Sequence, residues 1–366
     1  MTTLRSILRS LAASGLAFLI VFATVGPAIA TTLADKRAQA ATVQTQLDAL
    51  DTKASQADEA YNTARDLYDS LTAQVTSTEK RIGVLQARTD ALQADLGARA
   101  DQIYRSDGTF GVIEALLSAR TLQDFDSVLN ALQAIGQQDA DTVAQLKKAQ
   151  ADLQVARTEL VASQTAASKQ QAEMSANAKA VHDQVAAKAA VLAGLSADIK
   201  AIVAKQAADA AAAAHARYLA LLARQRAAAG SSGSSGGGGS IDPGGNPPSS
   251  GKGALAVWWA EKAIGRPYVW AASGPGSFDC SGLTMWAYGH AGISLPHSSQ
   301  SQINVGQRVS KGNLEPGDLV FFGSPIHHVG MYVGGGDFIE APHSGANVRI
   351  STLADRMGDY AGACRP

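Results

Sequence analysis

Cysteine is nearly absent: the 366-residue chain holds two, Cys280 and Cys364. At most one bridge can form, which excludes a disulfide-stapled scaffold. Proline is missing from the whole of residues 31–228, and aromatics make up only 5 % of the chain. No charge of one sign dominates, since 31 Lys and Arg face 32 Asp and Glu. A nucleic-acid surface needs a basic face, so nucleic acid is excluded as a partner. Clustered metal ligands are lacking too. The compact histidine groups are His327-His328 and His343, too few for a zinc site, and no metal or cofactor is expected. No Gly-rich stretch follows a strand and ends in Lys-Ser or Lys-Thr, which excludes a phosphate loop.

What is present begins with an export signal. Arg5 and Arg9 form a charged start, Leu11 to Val25 an apolar stretch, and Ala28-Ile29-Ala30 a small-x-small cleavage site. Residues 1–30 read as a signal peptide cut after Ala30, so the mature protein is expected to be secreted. The apolar stretch is long for a signal, and an uncleaved anchor is the alternative. No second apolar span follows.

The remainder divides in two. Residues 31–228 are rich in Ala, Gln, Asp and Lys, whereas residues 252–366 carry all four tryptophans. Between them, residues 229–251 form a Gly/Ser/Pro tract that cannot bury a core and reads as a flexible linker. In the first part Leu47, Leu50, Ala54, Ala57, Tyr61, Ala64, Tyr68, Leu71, Val75, Thr78, Ile82, Leu85, Thr89, Leu92 and Leu96 alternate in steps of three and four. Such a seam specifies a long helix that must pack against a partner. A helix from Leu33 to Tyr104 would extend about 100 Å. The repeat breaks at Tyr104–Gly111, an apolar piece spans Val112–Leu117, and a second helix runs from near Phe125 towards Arg226, with a seam at Val181, Val185, Lys188, Leu192, Leu195, Ile199 and Ile202. An antiparallel hairpin closed on itself is expected, with a homodimer through the same seam as the alternative. Alanine and threonine in the seam imply a modest interface able to open. The apolar tip reads as a partner-binding site, because exposed apolar clusters mark contacts.

The chemistry gathers in the second part. Cys280 stands in Phe278-Asp279-Cys280-Ser281-Gly282-Leu283, at a turn leading into a helix-like run. A helix N-terminus favours thiolate, which makes Cys280 a candidate nucleophile. A bridge to Cys364 would disable it. Cys364 lies near the chain end without a motif around it and reads as a spare thiol. Leu319–Phe322, His328–Val333 and Asp337–Ala341 read as strands. Alternation puts His328, Gly330 and Tyr332 on one face and Val329, Met331 and Val333 on the core face. The turn Gly334-Gly335-Gly336 brings Glu340 beside His328, where it can accept the imidazole N–H and fix the tautomer. His327 points to the opposite side or lies in the loop, His297 follows a proline turn and lines the cleft, His290 ends a helix, and His343 is a loop residue.

Five ordered blocks carry a resemblance: Gly265–Trp270, Asp279–Leu283, Leu295–Gln300, Pro316–Phe322 and His328–Gly334. Together they resemble the NlpC/P60 family of cell-wall cysteine peptidases, over about residues 252–366. The resemblance implies an α+β papain-like catalytic domain, helices against an antiparallel sheet, here preceded by a long all-α coiled-coil hairpin. It implies cleavage of peptidoglycan stem peptides between D-glutamate and a diamino acid, by a secreted, wall-associated enzyme of cell separation or wall remodelling. By position Cys280 is the nucleophile, His328 the base and Glu340 the third polar group, a place often held by His in relatives. Tyr268 falls near the oxyanion site, Asp279 and Ser281 flank the nucleophile and shape the substrate pocket, and His297 fits a cleft-lining place. Ala271 stands where glycine often follows the tryptophan. Residues 31–228 resemble coiled-coil regulatory regions of septal hydrolases, through Tyr104-Arg105-Ser106, Leu116–Ala119 and Leu122–Phe125. That likeness implies a catalytic domain held inactive by the coiled coil and released by a membrane complex of the FtsE–FtsX type. An N-acetylmuramoyl-L-alanine amidase on the same fold, and an inactive division-site adaptor, are the alternatives.

Overall fold

The computed structural model describes residues 32–105, 113–114, 116–231 and 251–366. The expected signal peptide and the body of the linker lie outside the described residues, as does most of the break between the long helices. Helix α1 spans Leu33–Arg105 and α2 spans Leu122–Gly194. They pack side by side along their length as an antiparallel hairpin. The seam positions from Leu71 to Leu96 are all shielded relative to their neighbours, and Thr89 is buried. One chain therefore satisfies its own heptad. Polar ties cross the hairpin in antiparallel register, Arg81 to Glu159, Arg99 to Asp139 and Arg157 to Gln86.

The second long helix differs from expectation in two ways. It starts at Leu122, because Thr121 caps it: the Thr121 hydroxyl accepts from the Asp124 N–H while the Asp124 carboxylate accepts from the Thr121 N–H. It also breaks at Leu195, whose backbone is extended (φ −74°, ψ 143°), and continues as α3, Ala197–Ser231. At the base of the hairpin Leu192, Leu195, Ile199 and Ile202 pack on Ala40, Leu47 and Val203. At the other end Tyr104, Leu117 and Leu122 are strongly exposed. Among the described residues no helix is long and apolar enough to cross a membrane.

The C-terminal part has helices α4 (Lys252–Lys262), α5 (Cys280–His290) and α6 (Ser299–Gln302). Its strands are β1 (Gln307–Val309), β2 (Leu319–Phe322), β3 (His328–Gly334), β4 (Asp337–Glu340), β5 (Arg349–Thr352) and β6 (Tyr360–Arg365). They form one antiparallel sheet in the order β1-β6-β2-β3-β4-β5. Helices α4 and α5 cover one face, where Val329, Met331, Val333 and Ile339 meet Leu283, Ala287 and Tyr288. That is the core face expected from alternation. The opposite face is covered as well, by a smaller cluster of Val320, Phe322, Phe338 and Leu353 with Tyr332 against it. This is the α+β papain-like arrangement.

The two parts are packed together. Leu221 of α3 joins the catalytic core, and Arg224 of α3 pairs with Asp337 at 2.7 Å. Lys188 of α2 bridges the Asp51 carboxylate of α1, at 2.7 Å, to the Ser344 carbonyl. The Trp270 ring sits between Tyr61 of α1 and His182 of α2, with centroids 4.7 Å and 5.6 Å away.

Candidate active site

Cys280 is the first residue of α5, placed there by its neighbour. The Asp279 carboxylate caps the helix, accepting from the Gly282 N–H at 2.6 Å. Gly282 is required by close approach: a Cβ there would lie 2.2 Å from the Ala272 carbonyl oxygen and 2.9 Å from His297 Nε2. Helix α5 packs on β3, and the Val329 N–H points at the Cys280 sulfur. Cys280 thus lies beside the strand that begins with His328.

His328 and Glu340 meet as the hairpin geometry requires. Met331 pairs with Ile339 across β3 and β4, and the turn between them returns Glu340 to the His328 end of the strand. His328 Nε2 donates to Glu340 Oε2 at 2.8 Å, which fixes the tautomer and turns Nδ1 to the other side of the ring. Glu340 Oε1 accepts from the Ser351 hydroxyl at 2.5 Å and from Arg349 Nε at 3.2 Å. Arg356 lies 3.5 Å from Oε2. Burial would raise the Glu340 carboxyl, but His328 and the two arginines outweigh it and hold the group far below the usual carboxylate range. His328 is pushed down by burial, against the opposing pull of Glu340. It rests as a neutral imidazole able to take a proton.

The expectation of a resting thiolate is not met. Burial raises the Cys280 thiol well above its ordinary value, and Asp279, Asp58 and Glu59 push it further. The helix dipole that favours thiolate is outweighed by a dry, anionic surrounding. Two of those three carboxylates come from α1, which fills the cleft with a polar face. Asp58 Oδ2 accepts the Tyr268 hydroxyl. Glu59 accepts from the Ser298 hydroxyl at 2.5 Å and the Gln300 N–H at 2.9 Å. Asn62 donates to Asp279 at 3.1 Å, and Arg65 donates to His297 Nδ1 at 2.9 Å. Asp58, Glu59 and Asn62 are all buried. Burial raises both carboxyls, and Asp279 adds to the effect at Asp58.

The other expected site residues fall as follows. Tyr268 is buried in the cleft under α1. His297 lies there too, with Nε2 donating to Asp279 at 2.8 Å. Ser281 points inward, its hydroxyl 3.4 Å from Asp279, while its carbonyl accepts from Gln302. His327 bonds the Pro325 carbonyl, His290 stacks on Trp259, and His343 faces Asp51. Cys364 is free and buried, with its thiol on the Gln302 carbonyl and pushed up to about 12 by burial. No bridge joins it to Cys280. Among the described residues no group of three His, Cys, Asp or Glu side chains is arranged to hold a metal.

Comparison with known proteins agrees with this geometry. Residues 265–361 match the NlpC/P60 family model. Residues 82–156 match the coiled-coil domain of the peptidoglycan hydrolase PcsB. A probable endopeptidase of Mycobacterium tuberculosis is 43 % identical over 102 residues, 28 % of this chain and 26 % of that protein. The probable endopeptidase p60 of Listeria monocytogenes is 49 % identical over 88 residues, 24 % of this chain and 18 % of the relative. The chain thus spans about a quarter or less of the length of these curated relatives. Among solved structures, the NlpC/p60 domain of the peptidoglycan hydrolase SagA is 35 % identical, with 31 % of this chain and 98 % of that one covered and a TM-score of 0.30.

Proposed function

The chain belongs to the NlpC/P60 family, and on that premise we propose that it is a secreted cysteine endopeptidase cutting peptidoglycan stem peptides between D-glutamate and a diamino acid. The observation that carries the reading is the His328–Glu340 bond of 2.8 Å beside a cysteine at the start of α5. Glu340 accepts the Nε2 proton, so Nδ1 is the nitrogen that takes the proton of the Cys280 thiol. The sulfur then attacks the amide carbonyl carbon. The Cys280 backbone N–H and the Tyr268 hydroxyl stabilise the oxyanion, a contribution of about 3 kcal/mol per donor. The amide C–N bond breaks as His328 returns its proton to the leaving amine. Water, deprotonated by His328, hydrolyses the thioester and restores the thiol. Digestion of defined muropeptides followed by mass analysis tests the reaction. New termini at D-glutamate and at the diamino acid are expected, and both are lost in Cys280→Ala. Release of L-alanine from muramic acid would make the enzyme an amidase instead. Peptides left whole by a folded chain freed of α1 would support the inactive adaptor.

A second reading concerns control, and the cleft-filling face of α1 supports it. Asp58 holds the hydroxyl that the oxyanion needs, while Glu59, Asn62 and Arg65 occupy polar groups that line the cleft. The coiled coil restrains the enzyme by seating this face in the active site. Separation of α1 and α2 frees the cleft and also releases Trp270 from Tyr61 and His182. The exposed apolar residues at the far end of the hairpin suit a membrane partner of the FtsE–FtsX type, whose pull on the tip opens the restraint.

A further inference from the structure

A glutamate in the third position poses a problem that a histidine there does not. It adds a full negative charge to a wholly buried site. An isolated buried carboxylate is strongly disfavoured unless paired. If His328 were the sole partner, the pair would settle as imidazolium and carboxylate, and an imidazolium cannot take a proton from the Cys280 thiol. The chain must therefore supply positive charge from elsewhere.

Two arginines supply it. Arg349 lies opposite Glu340 in the β4–β5 register and reaches Oε1 at 3.2 Å. Arg356 approaches Oε2 at 3.5 Å, the oxygen that accepts from His328. Arg356 is fixed on its other sides. Its Nε and a terminal nitrogen donate to Asp359 at 3.3 Å and 2.8 Å, and its guanidinium lies 4.5 Å from the centre of the Phe322 ring. Phe322 in turn lies 5.9 Å from His328. One guanidinium is thus pinned by a carboxylate and a ring, with one edge left for the Glu340 oxygen that steers the base.

We infer that Arg356 is a positioning residue of this site: it neutralises Glu340 and holds its Oε2 in place, so that His328 stays neutral and correctly turned toward Cys280. The inference rests on the reading of His328 as the base. The charged and titratable groups acting on His328 are Glu340 from β4, Arg356 from the 3-10 turn at Leu353–Arg356, and His327 just before its own strand. Arg356 and His327 disfavour the imidazolium, and Glu340 favours it. Removal of Arg356 therefore shifts the balance toward imidazolium.

The test is a histidine NMR titration of the full chain, alongside its pH–rate profile on muropeptides. Arg356→Gln is expected to raise the His328 midpoint by about one unit. The acid limb of kcat/KM is expected to move up by the same amount. Arg356→Lys keeps the charge and is expected to stay near the wild-type midpoint. Arg356→Met replaces the charged side chain with an unbranched apolar one and is expected to follow Arg356→Gln, which separates charge from packing if the polar variant folds poorly. An unchanged midpoint in Arg356→Gln or Arg356→Met, or equal shifts in the Lys and Gln variants, would overturn the inference. Because the titration needs no turnover, a moved midpoint in a chain that cuts no muropeptide even when freed of α1 would uphold the positioning role and reject the peptidase reading instead.

Discussion

The Asp58 carboxylate of α1 accepts the Tyr268 hydroxyl, 210 residues away in sequence. On the proposed reading, α1 thereby occupies the hydroxyl assigned to the oxyanion. The contact belongs to a polar face, Asp58, Glu59, Asn62 and Arg65, that takes up the polar lining of the cleft.

Removal of an anchor on that face should activate the full chain. Glu59 makes two hydrogen bonds to the cleft, and a net hydrogen bond is worth about 1 kcal/mol. Glu59→Ala is therefore expected to raise muropeptide cleavage by the full chain about thirtyfold. Residues 251–366, which lack the helix, are expected to cleave at least as fast as the Glu59→Ala full chain.

The restraint should weaken as pH rises. Asp58 and Glu59 have raised values in the docked state, from burial first and, at Asp58, from Asp279 next. A group raised on docking stabilises the docked state while protonated, and that stabilisation is lost as pH climbs through the raised value. Cys280 is raised by burial first and Asp279 next, and Asp58 and Glu59 of α1 add to that shift with the same sign. The activity of the full chain relative to residues 251–366 is expected to increase from about pH 4, the ordinary carboxylate range, upward. Asp58→Asn removes the leading titration and should flatten that ratio.

In the proposed mechanism Glu340 orients His328 through its Oε2. Glu340→Gln preserves shape but supplies no charge, and its amide can present the wrong group to His328. A fall in kcat of about 100-fold is expected, with KM little changed. Steady-state kinetics at several pH values would show it.

Ala271 is a local strain point. It has φ +57°, a left-handed conformation that costs an L-residue with a Cβ about 1–2 kcal/mol. A glycine, which the family resemblance implies at this place, would meet no such cost. Ala271→Gly is expected to stabilise the catalytic unit by roughly 0.5–1 kcal/mol after the extra unfolded-state entropy of glycine is subtracted. Thermal unfolding measures it.

The catalytic part was legible because its signals are local. Asp279-Cys280-Ser281-Gly282 combines a cap, a thiol and a forced glycine within four residues. Strand alternation and a three-glycine turn were enough to pair His328 with Glu340. The heptad likewise announced the hairpin, because a seam repeats. The cleft-filling face was not legible. Asp58, Glu59, Asn62 and Arg65 look like any solvated helix face, since a polar residue carries no mark of whether water or another domain will meet it. Arg349, Ser351 and Arg356 escaped for a similar reason, as their link to Glu340 exists only across β5 and the turn after it. The thiolate expectation failed because it counted the helix dipole and not the burial of the thiol, nor the carboxylates of Asp279, Asp58 and Glu59 beside it.

The most direct measurement is cleavage of one defined D-glutamyl-diamino-acid muropeptide, by the full chain and by residues 251–366 side by side, each with its Cys280→Ala counterpart. The account predicts cleavage at least about thirtyfold faster by residues 251–366, at that bond, and none by either Cys280→Ala protein. Equal rates would contradict the restraint by α1, and cleavage that survives Cys280→Ala would contradict the nucleophile itself.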